Sequence, residues 1–170
     1  MFKRSISVLL LCMVLSGTLF STTVRADRFA YVVNSLGKTL SKINLTTNEV
    51  INDIEALGEA PNQIVICGEF AYVVNSLDHD IQIIDLTTEN TVGYINIGGP
   101  RNPFHLAFVD SQYAYVSNFM TNTVSKVNVI TRTVVGEYGV GLAPEGLMVV
   151  GNQLFVCCTG FEWAKYKDIT

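Results

Sequence analysis

The amino-acid sequence predicts an all-β protein built from repeated units of four short antiparallel strands, and three observations carry this prediction. One hexapeptide recurs at a nearly constant spacing. The apolar segments are short, rich in Val, Ile, Tyr and Thr, and bounded by Gly, Asn, Asp or Pro. No segment after the N-terminal region shows a sustained apolar period of 3.6 residues, so helices should be nearly absent.

The repeat has three separate marks that keep one period of about 41 residues. Ala-Tyr-Val-Val-Asn-Ser or a degenerate form of it occupies residues 30–35, 71–76, 114–119 and 154–159. A block that ends in Thr-Thr or Ile-Thr follows at residues 40–47, 81–88 and 124–131. A proline stands at positions 61, 103 and 144. Chance similarity does not produce three marks with a common period.

Each repeat unit divides into four strands, for example 62–67, 70–75, 80–86 and 91–97. Four strands in about 41 residues is the dimension of a propeller blade. A β-sandwich also has short strands at regular spacing, but it does not predict the same hexapeptide three times. The predicted fold class is therefore a β-propeller of four-stranded antiparallel blades.

Tyr-Val-Val-Asn-Ser, followed by a strand and Leu-Thr-Thr, resembles the YVTN-type β-propeller repeat of surface-layer and YncE-like exported proteins. The resemblance covers residues 29–160 and is specific for the fold, not for a function. It implies that the strand after each proline is the innermost strand a, that the Tyr-Val-x-Asn strand is b, and that c and d follow outwards. Cys157-Cys158 departs from the pattern, so we expect a distorted last unit.

The first 26 residues have the features of a signal peptide. Lys3 and Arg4 precede an apolar segment, residues 7–15, that is too short to span a bilayer. Val24-Arg25-Ala26 predicts cleavage before Asp27, and a secreted or periplasmic protein, with the cell surface also open. An uncleaved anchor and a lipoprotein at Cys12 are the less favoured alternatives. Residues 27–170 would then form a partial propeller domain without a transmembrane segment.

Composition and cysteine spacing argue against several classes of function. Cleavage would change the net charge from −4 to −7, and no basic run follows, so we expect no nucleic-acid partner. Three cysteines would remain, which is not a disulfide framework. We expect Cys157 and Cys158 to be small buried or half-buried side chains. No zinc, haem or dithiol motif is present, so no metal and no cofactor is predicted.

The residues that recur in every unit are predicted to build the blades. The asparagine that ends strand b should hydrogen-bond the backbone of the b–c turn, and the tyrosine should pack between blades. Thr-Thr at the c–d turn should satisfy loop backbone with its hydroxyls. The recurring residues of strand b are Tyr31, Asn34, Tyr72, Asn75, Tyr115 and Asn118.

Candidate ligand-binding residues are those that break the repeat with charge or imidazole. His105 stands where the other units have Gln63 and Gly146. Arg101 lies in an unusual d–a connection, and Asp78 and His79 lie in the middle b–c turn. Since the resemblance implies that b–c and d–a connections share one face, these four side chains could converge at the channel mouth. A metal site in Asp78-His79-Asp80 is disfavoured, because three adjacent residues rarely aim at one ion.

The favoured function is a non-catalytic binding or scaffold module that presents a loop face to a protein, polysaccharide or small ligand. The alternative is a propeller enzyme, either a lactonase-like hydrolase or a quinone- or metal-dependent oxidoreductase. That alternative rests on analogy of fold, and catalysis would require the four candidate residues to meet within a few ångström.

The sequence also predicts an incomplete ring. Propellers usually have 4–8 blades, whereas residues 27–170 supply about three and a half. The chain enters at strand b, at Phe29, and its last recognisable strand is again a strand b. We therefore expect either a fragment of a protein of about 300 residues or copies that self-associate to complete a circle.

Overall fold

The computed structural model describes residues 28–162, and the predicted signal peptide lies outside the described residues. The described chain forms thirteen β-strands: β1 (Phe29–Asn34), β2 (Thr39–Asn44), β3 (Val50–Ala56), β4 (Pro61–Cys67), β5 (Phe70–Asn75), β6 (Asp80–Asp85), β7 (Asn90–Asn96), β8 (Pro103–Phe108), β9 (Tyr113–Asn118), β10 (Thr123–Asn128), β11 (Thr133–Gly139), β12 (Pro144–Val150) and β13 (Gln153–Cys158). Within residues 28–162 there is no helix long and apolar enough to cross a lipid bilayer.

The strands form four antiparallel sheets, which we call blades 1 to 4. Blade 2 has the order β4-β5-β6-β7 and blade 3 the equivalent order β8-β9-β10-β11. Within residues 28–162, blade 1 contains β1-β2-β3, with no strand a, and blade 4 contains β12-β13. The predicted all-β class, with four-stranded blades in an incomplete ring, is confirmed.

The core lies between the faces of neighbouring blades. Alternate residues of a strand point to opposite faces, so β5 serves two junctions. Ala71 and Val73 pack with Leu40 of blade 1, whereas Tyr72 and Val74 belong to the core shared with blade 3. This explains why β5 reads as a continuous apolar run and is buried on both faces.

The c–d turns are held by the residue that ends strand c. The Asn44 side-chain oxygen accepts hydrogen bonds from the backbone N–H groups of Thr46 and Thr47, and Asp85 does the same for Thr87 and Thr88. Such Asx turns satisfy the backbone locally. The expectation that threonine hydroxyls satisfy loop backbone holds at Thr47, which accepts the N–H of Glu49 at 3.3 Å, but the main acceptors in these turns are the amide and carboxylate oxygens.

The turns lie at two opposite ends of the blades. At one end, the b–c end, each b–c turn bonds to a d–a connection, as in Leu77 N–H to the Glu59 carbonyl and Met120 N–H to the Arg101 carbonyl. The a–b and c–d turns lie at the other end of the strands, the c–d end. The two ends carry different side chains, and each is described separately below.

The expectation that Cys157 and Cys158 are buried or half-buried was wrong. Cys157 and Cys158 are exposed free thiols on β13, and Cys67 is half-buried. Within the described residues blade 4 contains strands a and b alone, so no strand c lies beside β13 to cover these side chains.

Candidate functional site

The recurring asparagines join strand b to strand c through their side chains. Asn75 Nδ2 donates to Asp80 Oδ1 at 3.0 Å and to Gln82 Oε1 at 3.2 Å. Asn118 Nδ2 makes the equivalent bonds to Thr123 and Ser125. The partners are therefore strand-c side chains and not the turn backbone that we expected. Because Asn75 is fully buried, these bonds have no competition from water.

The recurring tyrosines have different neighbours in successive blades. Tyr72 is nearly buried and packs edge-to-face against Phe108 of blade 3, with ring centroids 5.0 Å apart. Tyr31 packs against the core between blades 1 and 2. Tyr115 is half-buried and contacts Tyr138 of its own blade. Burial raises the pKa of the Tyr72 phenol, and the nearby Cys67 adds to this effect.

His79 occupies a turn position that all three b–c turns share. Its φ is 57°, against 53° for Lys38 and 56° for Asn122. His79 Nδ1 accepts the backbone N–H of Asn102 at 3.2 Å, and Asn122 Oδ1 accepts the N–H of Ala143 at 2.8 Å. The imidazole of His79 thus takes the place of an asparagine amide and holds the following d–a connection.

Asp78 and Arg101 are also engaged by their own chain. Asp78 Oδ2 accepts the backbone N–H of Glu59 at 2.7 Å, in the connection that leads into blade 2. Arg101 donates from Nη2 to Glu137 Oε2 at 2.6 Å and from Nη1 to the Ile97 carbonyl at 2.8 Å. The first pair holds turn 76–79 to blade 1's d–a connection, and the second holds connection 97–102 to blade 3.

His105 lies between the inner strands of three blades. Its Nδ1 accepts the N–H of Leu147 in blade 4 at 3.3 Å, and its Nε2 lies 2.9 Å from Gln63 Nε2 in blade 2. Gln63, its counterpart, in turn accepts the N–H of Leu106 at 2.6 Å. In blades 2 and 3 the residue two positions after the proline therefore bonds its inner strand to the inner strand of the next blade.

Burial lowers the pKa of His105 below its ordinary value. Its two ring nitrogens face the N–H of Leu147 and the amide nitrogen of Gln63, which are both donors. A protonated imidazole has two N–H donors and no acceptor, so it could accept from neither group. The neutral ring has one acceptor nitrogen, so it can accept the N–H of Leu147 at Nδ1, and the contact between its Nε2 and the Gln63 amide nitrogen is then not a hydrogen bond.

The four candidate residues are bonded to other parts of the chain and not directly to one another. Among residues 28–162, no hydrogen bond or ion pair joins any two of Asp78, His79, Arg101 and His105. The same part of the chain holds no group of three or more His, Cys, Asp or Glu side chains placed to hold a metal ion. His79 and Arg101 contact the same d–a connection, but through different atoms. Their role in ligand binding stays a prediction.

A set of exposed apolar side chains at the b–c end escaped the sequence analysis. The second residue of each b–c turn is apolar in blades 1 to 3. Leu36 is fully exposed, Leu77 is 59% exposed and Met120 is 49% exposed. We call these three residues the b–c apolar set. The sequence could have indicated this set, because a large apolar residue stands at the same position of all three b–c turns.

A cleft at the c–d end was also missed. It has a volume of 540 Å³ and lies between blades 2 and 3, where Cys67, Phe70 and Ile83 face Val129 and Arg132. In the sequence, the indication of this cleft is the residue type at the strand-c position of Ile83. The matched residue is lysine in both neighbouring repeats, Lys42 and Lys126.

Comparisons with known proteins identify the fold and no more. No family model matches the chain, and no curated protein matches it in sequence. Among solved structures, hydrazine synthase of Kuenenia stuttgartiensis has a TM-score of 0.67 and 20% identity, covering 75% of this chain and 38% of that one. A putative 6-phosphogluconolactonase from Bacteroides uniformis has a TM-score of 0.64 and 17% identity, covering 77% and 44%.

A third similar structure is AztD of Citrobacter koseri, with a TM-score of 0.55 and 15% identity, covering 65% of this chain and 32% of that one. These structural neighbours are β-propellers, and the chain has a propeller fold. It spans less than half the length of each. At these identities the similarity extends to the fold and carries no activity.

Proposed function

We propose that this protein is a non-catalytic binding module that engages a protein partner through its b–c end. The main support for this proposal is the b–c apolar set, in which an exposed Leu or Met occupies the same turn position in three blades. Exposed apolar side chains grouped on one surface are a common feature of protein interaction sites. Methionine and aliphatic side chains suit a protein partner, since a sugar ring is usually stacked on aromatic side chains.

The backbone beneath these side chains is held in place from several directions. Leu77 N–H donates to the Glu59 carbonyl and Met120 N–H to the Arg101 carbonyl. Asp78 and His79 add the side-chain bonds to neighbouring connections. A turn fixed in this way loses little conformational entropy on binding, which favours affinity. The polar residues predicted as ligands would then support the surface, with Arg101 and Asp78 at its margin.

The test compares two triple variants of the exported chain. Leu36→Ser, Leu77→Ser and Met120→Ser together remove the apolar set. Val50→Ser, Ile51→Ser and Val135→Ser remove exposed apolar residues of the outer strands and serve as the matched control. Chemical cross-linking in the exporting cell, read by mass spectrometry, should lose its partner with the first variant and keep it with the second. Equal retention of the partner by both variants would contradict the proposal.

We further propose that residues 1–26 are a cleaved signal peptide and that residues 27–170 belong to a YVTN-type repeat propeller. The repeated Tyr-Val-x-Asn strands and the order a to d support the repeat type. N-terminal sequencing of the exported protein should begin at Asp27. Light scattering on residues 27–170 should give either aggregates, as expected of a fragment, or a closed assembly. A soluble cooperative monomer of about 16 kDa would contradict both alternatives.

A further inference from the structure

The junction between blades 1 and 2 differs from the junction between blades 2 and 3 at matched positions. In the first, Lys42 of strand c forms an ion pair with Glu89 of the next c–d turn. Glu89 and Arg132 occupy the same turn position, with φ of 57° and 58°. In the second junction, Ile83 replaces the lysine and Arg132 replaces the glutamate. A lysine and a glutamate at these positions would repeat the ion pair of the first junction, and the chain instead has Arg132 and Ile83, which is 3% exposed and packs in the core between blades 2 and 3.

Arg132 has no acidic partner among the described residues. Its Nη1 donates to the Val92 carbonyl at 3.0 Å, and the guanidinium lies over Gly93, where no side chain intervenes. No carboxylate lies within ion-pair distance of it in residues 28–162. Glu69 also lines the cleft, and it is exposed and forms no ion pair with Arg132. The remaining guanidinium N–H groups are therefore available to an anion.

The aromatic ring that opens strand b is also left without its usual partner. Lys42 lies 5.0 Å from the ring centroid of Phe29, and Lys126 lies 4.5 Å from that of Tyr113. In blade 2 the matched ring is Phe70, and the matched strand-c residue is Ile83. Both line the cleft. Two repeats thus place a lysine over this ring and the middle repeat does not, although Phe70 is exposed to the same extent as Phe29, at 37% against 36%.

We propose that the cleft between blades 2 and 3 binds a small amphipathic anion. Its carboxylate, sulfonate or phosphate group pairs with Arg132, and its apolar body packs against Phe70, Val92 and Ile130, the exposed apolar side chains of the cleft wall. The volume of 540 Å³ falls within the range of about 300–1,000 Å³ that small-molecule sites occupy. Mostly apolar walls with one placed charge are typical of such sites. This site lies at the opposite end of the blades from the b–c apolar set and is independent of the function proposed above.

The probe for this proposal is 8-anilinonaphthalene-1-sulfonate, with N-phenyl-1-naphthylamine as its uncharged analogue. Arg132→Gln should weaken binding of the sulfonate about tenfold or more, since hydrogen bonds to charged groups contribute that much. The same variant should leave the affinity for the uncharged analogue within about twofold, because the apolar walls are unchanged. Ile83→Lys, which restores the residue of the neighbouring repeats, should weaken binding of both probes.

The matched control is Arg28→Gln. Arg28 is exposed and precedes β1 as Glu69 precedes β5. Its substitution therefore removes the same charge from the c–d end without changing a residue of the cleft. It should change the affinity for the sulfonate by less than about twofold, as expected for a screened distant charge. Equal weakening by Arg28→Gln and Arg132→Gln, or no weakening by Arg132→Gln, would overturn the proposal.

Alkylation of the cysteines locates the bound probe without any variant that could fail to fold. Cys67 lines the cleft, whereas Cys157 and Cys158 are exposed elsewhere. Saturating sulfonate should slow iodoacetamide labelling of Cys67 severalfold and leave the other two unchanged, as read by peptide mass spectrometry. Unchanged labelling of Cys67 at saturation would place the probe outside the cleft and overturn the proposal.

Discussion

Residues that depart from the repeat have different surroundings at the two ends of the blades. At the b–c end, every unusual polar residue is used within the chain: His79 holds Asn102, Asp78 holds Glu59 and Arg101 pairs with Glu137. At the c–d end, Ile83 stands where the neighbouring repeats have lysine, and Arg132 stands where the preceding repeat has Glu89. Both residues line a cleft, and Arg132 has no acidic partner in residues 28–162.

This difference separates two meanings of an unusual residue in a repeat protein. A residue whose polar atoms are taken up by neighbouring backbone contributes to stability. A residue that removes an interaction found in another repeat, as Ile83 and Arg132 do for the pair of Lys42 with Glu89, is by our proposal part of a binding site. We therefore expect substitutions of these polar residues at the b–c end to change stability, and substitution of Arg132 at the c–d end to change the binding of a small anion.

The largest loss of stability is expected from Asn75→Ala. The change removes two buried hydrogen bonds to strand c, to Asp80 and Gln82, and should lower the free energy of unfolding by about 2 kcal/mol. Asn34→Ala is the matched variant in blade 1, where the site is half-buried, and should cost about 1 kcal/mol. Urea denaturation measures both. A smaller loss of unfolding free energy for Asn75→Ala than for Asn34→Ala would show that burial does not determine the strength of these hydrogen bonds.

The next effect is a pH dependence that originates in His105. Because burial lowers its pKa in the folded state, the unfolded chain binds more protons below the ordinary histidine value. Stability should be complete above about pH 6.5 and should fall as the pH drops towards the lowered pKa. His105→Gln should remove this slope and change stability at pH 7.5 by less than about 1 kcal/mol, since Gln63 makes the equivalent bond. An unchanged slope in the variant would contradict this assignment.

Arg101→Gln tests whether the b–c end uses its charges internally. The change removes the pair with Glu137 and should cost about 0.5–1 kcal/mol, in the upper range for partly exposed ion pairs. A double-mutant cycle with Glu137→Gln, read by thermal unfolding, should give a coupling of similar size at low salt and a smaller one at high salt. Zero coupling at low salt would leave Arg101 free for a ligand, as the sequence alone suggested.

Arg132→Gln should have the smallest effect on stability. The residue has one hydrogen bond, to the Val92 carbonyl, and no ion pair in the described chain, so the change should stay within about 0.5 kcal/mol. Thermal unfolding of this variant beside Arg101→Gln compares the two ends directly. A loss at Arg132 larger than the loss at Arg101 would reverse the comparison.

The fold was predictable because it follows from a period. The repeated strand b and the prolines placed strands within about one residue of their observed bounds, as in β5 at Phe70–Asn75. The site was not predictable in the same way. His79 and Arg101 looked unusual in the sequence, but whether a side chain is already bonded depends on residues that only the folded chain brings near. Ile83 in a strand and Arg132 in a turn look ordinary in the sequence. What distinguishes them is that the folded chain places both in the wall of one cleft.

The most direct test of the central claim is a titration of the protein with 8-anilinonaphthalene-1-sulfonate followed by amide chemical shifts. We expect the largest saturable shifts at Phe70, Val92 and Val129 at the c–d end, and we expect them to vanish in Arg132→Gln. Shifts that are largest at Leu36, Leu77 and Met120, or that persist unchanged in Arg132→Gln, would contradict it.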